Sequence, residues 1–91
     1  MQVKVEFMGY YKDLFGAEKD VELERGATLH DLAQAVCTSH ECYQAIFDES
    51  GKPRRGVRVE EKNGRRLKLL HEGNVKLSDE DVVIFYHTIS V

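Results

Sequence analysis

Residues 20–36 read DVELERGATLHDLAQAV, and within this stretch the spacing of apolar residues changes from a strand's to a helix's. Val21 and Leu23 alternate with Asp20, Glu22 and Glu24, the signature of a strand with one buried face. From Leu29 onward the apolar positions are Leu29, Leu32, Ala33 and Val36, at i, i+3, i+4 and i+7, which form one stripe on a helix. Thr28 stands where an N-cap belongs. Asp31, three residues on, completes a capping-box pattern near the positive end of the helix dipole. A one-faced strand followed closely by a one-striped helix predicts a sheet with a helix across one side, because each element buries what the other exposes.

Reading outward, QVKVEFM (2–8) alternates Val3, Val5 and Phe7 with Gln2, Lys4 and Glu6 and predicts a first strand, paired antiparallel with the strand around Val21. The connection GYYKDLFGAEK (9–19) is long enough for a short turn, with Tyr10, Leu14 and Phe15 expected to pack it onto the sheet. Beyond the main helix, Thr38 with Glu41 can recap the chain for a short second helix, ECYQAIF (41–47). DESGKPRRG (48–56) holds the single proline and reads as a loop. VRVEEK (57–62) and RRLKLL (65–70) flank Asn63-Gly64, a strong hairpin signal.

The closing strand DVVIFYH (81–87) is apolar on both parities. Val82, Ile84 and Tyr86 share one side, Val83 and Phe85 the other. Such a strand is central and covered, or keeps one face for a partner. A right-handed crossover would bring the last strands beside the first. The expectation is an α+β fold with one mixed, twisted sheet, built as a single domain over residues 1–91.

The totals bound the function. With 91 residues, 42% of them hydrophobic and 32% charged, the chain has room for one compact core and not the composition of a disordered tail. No apolar run approaches the roughly 18–20 residues of a membrane span. The first residues run directly into strand pattern with no leader-like stretch, so the expected location is cytoplasmic, with no membrane partner. Net charge is −3, yet eight of the thirteen Lys and Arg fall in residues 52–68. A nucleic-acid module would pair such a stripe with a basic domain overall and stacking aromatics, and neither is present. A solvated strand pair, or a face for an acidic partner, accounts for it better.

Cys37, His40 and Cys42, with His30 one heptad before Cys37, are the residues a metal would use, but the spacing C-x2-H-x-C matches no common zinc motif. Two cysteines are too few for a plant-type iron–sulfur cluster. They could join as a disulfide if exposed, against which a cytosolic location argues. Ser78 and Ser90 lack a neighbouring base, His87 has no locatable carboxylate, and Asp79 and Asp81 sit in a turn where solvation accounts for them. No metal, no cofactor and no enzymatic activity are expected.

The predicted order of elements is that of the β-grasp, or ubiquitin-like, fold. The stretches VKVEFMGYYKDLFGAEKDVEL (3–23), GATLHDLAQAV (26–36) and KNGRRLKLLHEGNVKLSDEDVVIF (62–85) resemble the MoaD/ThiS sulfur carriers, MoaD more than ThiS, over nearly the whole chain. Asn63-Gly64 and the run Leu77 to Val83 fall where that family shows Asn-Gly and Leu-x-Asp-Gly-Asp-x-Val. Glu80 stands at the turn glycine, which predicts a different turn there. The resemblance implies a setting in sulfur transfer, above all for the molybdenum cofactor. Its partners would be proteins, an adenylyltransferase or the large subunit of molybdopterin synthase. It further implies an apolar docking face that includes Val83 and Phe85, and a tail formed by His87, Thr88, Ile89, Ser90 and Val91.

Family carriers end in Gly-Gly, whose carboxylate takes up sulfur. Here Val91 stands over the first glycine, the second has no counterpart, and no Gly-Gly dipeptide occurs in the sequence. A threaded tail needs residues without Cβ, and valine is stiff at χ1. The reading is therefore an interaction protein with a diverged tail. Its alternatives are a working carrier with an unorthodox end and, more remotely, a nucleic-acid module using residues 52–68.

Overall fold

The computed structural model of the chain describes residues 1–37 and 39–87. In order they form β1 (Gln2–Phe7), α1 (Tyr10–Phe15), β2 (Glu18–Glu22), α2 (Leu29–Val36), α3 (His40–Ile46), β3 (Val57–Asn63), β4 (Arg66–Leu69) and β5 (Val82–His87). The five strands make one sheet in the order β2-β1-β5-β3-β4. β1 pairs antiparallel with β2 and parallel with β5, and β3 lies antiparallel between β5 and β4. This is the mixed α+β, ubiquitin-like β-grasp sheet that the sequence predicts.

α2 forms over the predicted residues because its capping box closes in both directions. The Thr28 hydroxyl accepts from the Asp31 N–H at 3.3 Å, and an Asp31 carboxyl oxygen accepts from the Thr28 N–H at 2.9 Å. Leu29, Leu32, Ala33 and Val36 are all buried, packed in one cluster with Val3, Val5, Phe7, Val59, Val83 and Phe85. Asn63-Gly64 turns the β3–β4 hairpin as expected, Gly64 supplying φ +60° at no steric cost.

Three local expectations change. In α1 the residue buried against the sheet is Tyr11, with Phe15 half-buried beside Phe7, whereas Tyr10 and Leu14 are 64% and 57% exposed. The six-residue turn is helical, and a helix directs neighbours such as Tyr10 and Tyr11 about 100° apart, so they cannot share a face. The cap of α3 is Ser39, whose hydroxyl accepts from the Cys42 N–H at 3.1 Å. Thr38, the cap expected from sequence, lies outside the described residues. Glu80 adopts φ +65°, so the turn keeps a left-handed residue without a glycine to hold it.

That turn sets the register of the parallel pair. Asp81, expected to be solvated, is 1% exposed. Its carboxyl oxygens accept from the Ser78 N–H at 2.7 Å and the Asn63 side-chain amide at 2.5 Å, while its backbone carbonyl accepts from the Lys4 N–H at 3.0 Å. Glu80 N–H donates to the Gln2 carbonyl at 2.9 Å, and the Gln2 N–H donates to Asp79 at 2.9 Å. One acidic turn thus ties together the start of β1, the end of β3 and the start of β5.

Glu61 on β3 faces this buried carboxyl. Burial pushes the Glu61 carboxyl above its ordinary value of 4.5, and so do a hydrogen bond shared with Asp81 and the neighbouring charge. Lys68 and Arg66 oppose the shift without cancelling it.

These arrangements lead to three expected outcomes. Asp81→Ala strands the Ser78 N–H and the Asn63 amide and should cost about 1–3 kcal/mol in chemical denaturation. Glu80→Gly relieves the left-handed strain and should raise stability by roughly 1 kcal/mol, less any entropy that glycine adds to the unfolded chain. Glu61 binds its proton more tightly folded than unfolded, so its contribution is full below 4.5 and falls as pH rises through the raised folded pKa. Glu61→Gln should therefore melt higher than wild type at neutral pH, with the difference vanishing in acid. An equal gain at every pH would contradict this.

Candidate partner-docking face

The helices lie on one side of the sheet, which assigns every strand residue to a covered or an open face. Val83 and Phe85 point to the covered side, at 0% and 1% exposure, and Phe85 stacks near Phe7 with ring centroids 5.8 Å apart. They cannot form the docking face expected of them. β5 pairs Val5 with Val83 and Phe7 with Phe85, and these partners already face the helix stripe. Paired residues share a face, so Val82, Ile84 and Tyr86 turn outward instead.

These three half-buried side chains run along the central strand of the open face. Register places Leu69 opposite Glu60 and Leu67 opposite Lys62, on the same side as Ile84 and Val82, and Leu67 is 63% exposed. The apolar strip therefore crosses from β5 to β4 with only β3 between. On β3, Glu60 accepts the Tyr86 hydroxyl at 2.5 Å, which orients the ring and raises the phenol's pKa, burial adding to the effect.

The strands on the two sides of β5 differ in charge on this face. Toward β2 lie Glu18, Asp20 and Glu22, partnered in register by Glu6, Lys4 and Gln2, with Lys4 3.9 Å from Glu18. On β3, between β5 and β4, lie Arg58 and Lys62 with Glu60 between them. Strand alternation divides the basic segment between two sides. Arg66 and Lys68 pair with Asn63 and Glu61 on the covered-side parity, whereas Arg54, Arg55 and Arg58 border one cavity with Leu69 and His71. The basic side chains of residues 52–68 are thus split between the two faces of the sheet.

β5 ends at His87, which is exposed, pairs with Val57 and has its ring 6.4 Å from that of Tyr11. Thr88, Ile89, Ser90 and Val91, the rest of the expected tail, lie outside the described residues. Beside His87 a groove of about 790 Å³ runs between α1 and α3, with Tyr10, Leu14, Cys42 and Ile46 in its walls. The exposed pair on α1 is the surface that sequence reasoning missed. Its signal was the adjacency of Tyr10 and Tyr11, one of which must point outward from any helical turn.

Of the residues weighed as metal ligands, His30, Cys37 and His40 border one cavity. The ring of His30 is hydrogen-bonded to the Tyr43 hydroxyl, and no group of three or more His, Cys, Asp or Glu side chains is arranged to hold a metal among the described residues. Cys37 and Cys42 do meet, with sulfurs 2.8 Å apart. Burial, and the contact with Cys42, push the Cys37 thiol up to about 12. No helix among the described residues is long and apolar enough to cross a membrane.

No family model matches the chain, and no curated protein matches it. Solved structures do. SAMP1 from Haloferax volcanii superposes with a TM-score of 0.76 at 16% identity, over 100% of this chain and 99% of that one. The H. volcanii protein HVO 2177 gives 0.76 at 19% identity, over 99% of this chain and 85% of that one. A Pyrococcus furiosus protein assigned as molybdopterin converting factor, subunit 1, gives 0.70 at 26% identity, over 98% and 99%. The chain is thus a ubiquitin-like β-grasp protein whose structural neighbours are consistent with a MoaD/ThiS-like family.

Proposed function

We propose that the protein works by docking a protein partner on the open face of its sheet, within cytoplasmic sulfur transfer, and that it is not itself an enzyme. The observation that carries this reading is the apolar strip of Val82, Ile84, Tyr86, Leu69 and Leu67 on the side that none of the described helices covers. A central strand apolar on both faces is economical when its second face is also buried, here by another protein. The neighbours support the setting: one is a small archaeal modifier protein and another carries the name of a molybdopterin converting factor subunit. The candidate partners are accordingly an adenylyltransferase or the large subunit of molybdopterin synthase.

Tyr86 and Ile84 have the character of interface anchors, large side chains held by neighbours at the centre of a patch with a polar rim. Calorimetric titration against each candidate partner from the same cell tests the face. Ile84→Asp should weaken binding at least ~30-fold, the loss of a hot spot worth about 2 kcal/mol, with the circular dichroism unchanged. Undiminished binding by Ile84→Asp would remove the face, and no binding of wild type to either partner would remove the partner class. Phe85→Ala is the contrasting control. It should cost about 3–5 kcal/mol of stability, because it empties a core site.

For the tail, the reading is that His87 to Val91 carries no sulfur, since the β-branched Val91 stands where the resemblance puts a glycine. Incubation with the adenylyltransferase, ATP and a sulfide donor should leave the intact mass unchanged. A gain of one oxygen-to-sulfur exchange would establish a working carrier instead.

A further inference from the structure

We propose that Cys37 and Cys42 form a redox modification site, a dithiol that closes to an intrachain disulfide when a small disulfide such as oxidised glutathione reaches it through the groove beside α1. Each cysteine is fixed by its own helix end. Cys37 is the C-cap of α2, its N–H bonded to the Ala33 carbonyl at 2.8 Å, and Cys42 sits in the first turn of α3, its N–H bonded to Ser39 at 3.1 Å. These two caps bring sulfurs five residues apart to 2.8 Å. A disulfide needs about 2.05 Å, a difference of roughly 0.8 Å that side-chain rotation can close. Two thiolates sharing a zinc ion at about 2.3 Å each would stand roughly 3.8 Å apart, so the contact suits a bond better than a metal.

The two thiols are unequal. Cys42 is half-buried and lines the groove, where a small disulfide can approach. Cys37 is buried. Cys42 is therefore the attacking thiol. As its thiolate it attacks one sulfur of oxidised glutathione, the S–S bond of that reagent breaks, and one glutathione leaves and takes up a proton. Cys37 then attacks the Cys42 sulfur of the mixed disulfide. The intrachain S–S bond forms as the Cys42–glutathione bond breaks, and the second glutathione leaves with the proton that Cys37 gives up. Two protein thiols are oxidised and one molecule of oxidised glutathione is reduced to two thiols. The second step overcomes the weak acidity of Cys37 by proximity, since its sulfur is already in contact with its target.

Intact-mass measurement on the reduced full chain, incubated with oxidised glutathione near pH 8, tests the assignment. Wild type should lose two hydrogens and retain no glutathione. Cys37→Ser should accumulate one glutathione on Cys42, while Cys42→Ser should keep its starting mass because the remaining thiol is buried. On unmutated protein, brief alkylation of the native reduced state should label Cys42 before Cys37, a readout that survives any folding defect in the variants. Wild type left at its reduced mass, stably glutathionylated or linked into dimers would overturn the site. Equal alkylation of the two cysteines would overturn the division of roles.

Discussion

The fold turns on the parallel pairing of β1 with β5, and that pairing turns on the acidic residues before β5. Parallel strands cannot be joined by a tight turn, so their register must be set by something other than the connection between them. Here the segment Ser78 to Asp81 does it. Its backbone bonds to Gln2 and Lys4 fix β5 against β1, while the buried Asp81 carboxyl reaches across to Asn63 and fixes the end of β3. A slip of one residue would turn Val83 and Phe85 to solvent and bring Val82, Ile84 and Tyr86 under the helices. Burying Asp81 is tolerated because its oxygens are met by a backbone N–H and an amide.

From that register the division of labour between the two faces follows. The covered face is closed by α2 and α3 and carries stability. The open face carries the apolar strip, and no described helix places its buried residues against it. Glu80 in a left-handed conformation and Glu61 beside Asp81 are both costs borne at the same turn. Strain concentrated where one element positions three strands is consistent with the pairing being worth more than the local penalties.

Much of this was legible in the residues. The change of period between Leu23 and Leu29, the Thr28–Asp31 box and Asn63-Gly64 each have a local cause, and each appears where expected. β5 was different, because a strand apolar on both parities contains no internal signal for which side meets the helix. Asp81 was read as a solvated turn acid for a related reason: its burial depends on Asn63, eighteen positions earlier, and no local pattern links the two. Apolarity alone places Tyr10 and Leu14 inward, and only the helical direction of α1 turns them out. The meeting of Cys37 and Cys42 depends on the angle between two short helices, which spacing alone does not supply.

The distribution of charge adds a last constraint on what the open face can accept. β5 is the middle strand, so its apolar side chains have a mostly acidic side toward β2, with Lys4 among the acids, and Arg58 and Lys62 flanking Glu60 on the β3 side. A partner surface that is simply apolar would bury Val82, Ile84 and Tyr86 in either of two opposite orientations. One that carries basic groups toward β2 and acidic groups toward β3 fits in a single orientation, because the reversed pose sets like charges against each other. For the proposed partner, these flanking charges would set direction and encounter rate more than affinity, and the apolar side chains would supply the binding energy. In that orientation the proposed partner would meet β5 along its length up to His87, the last described residue of the strand. The same register that hides Phe85 in the core turns Val82, Ile84 and Tyr86 to the open face.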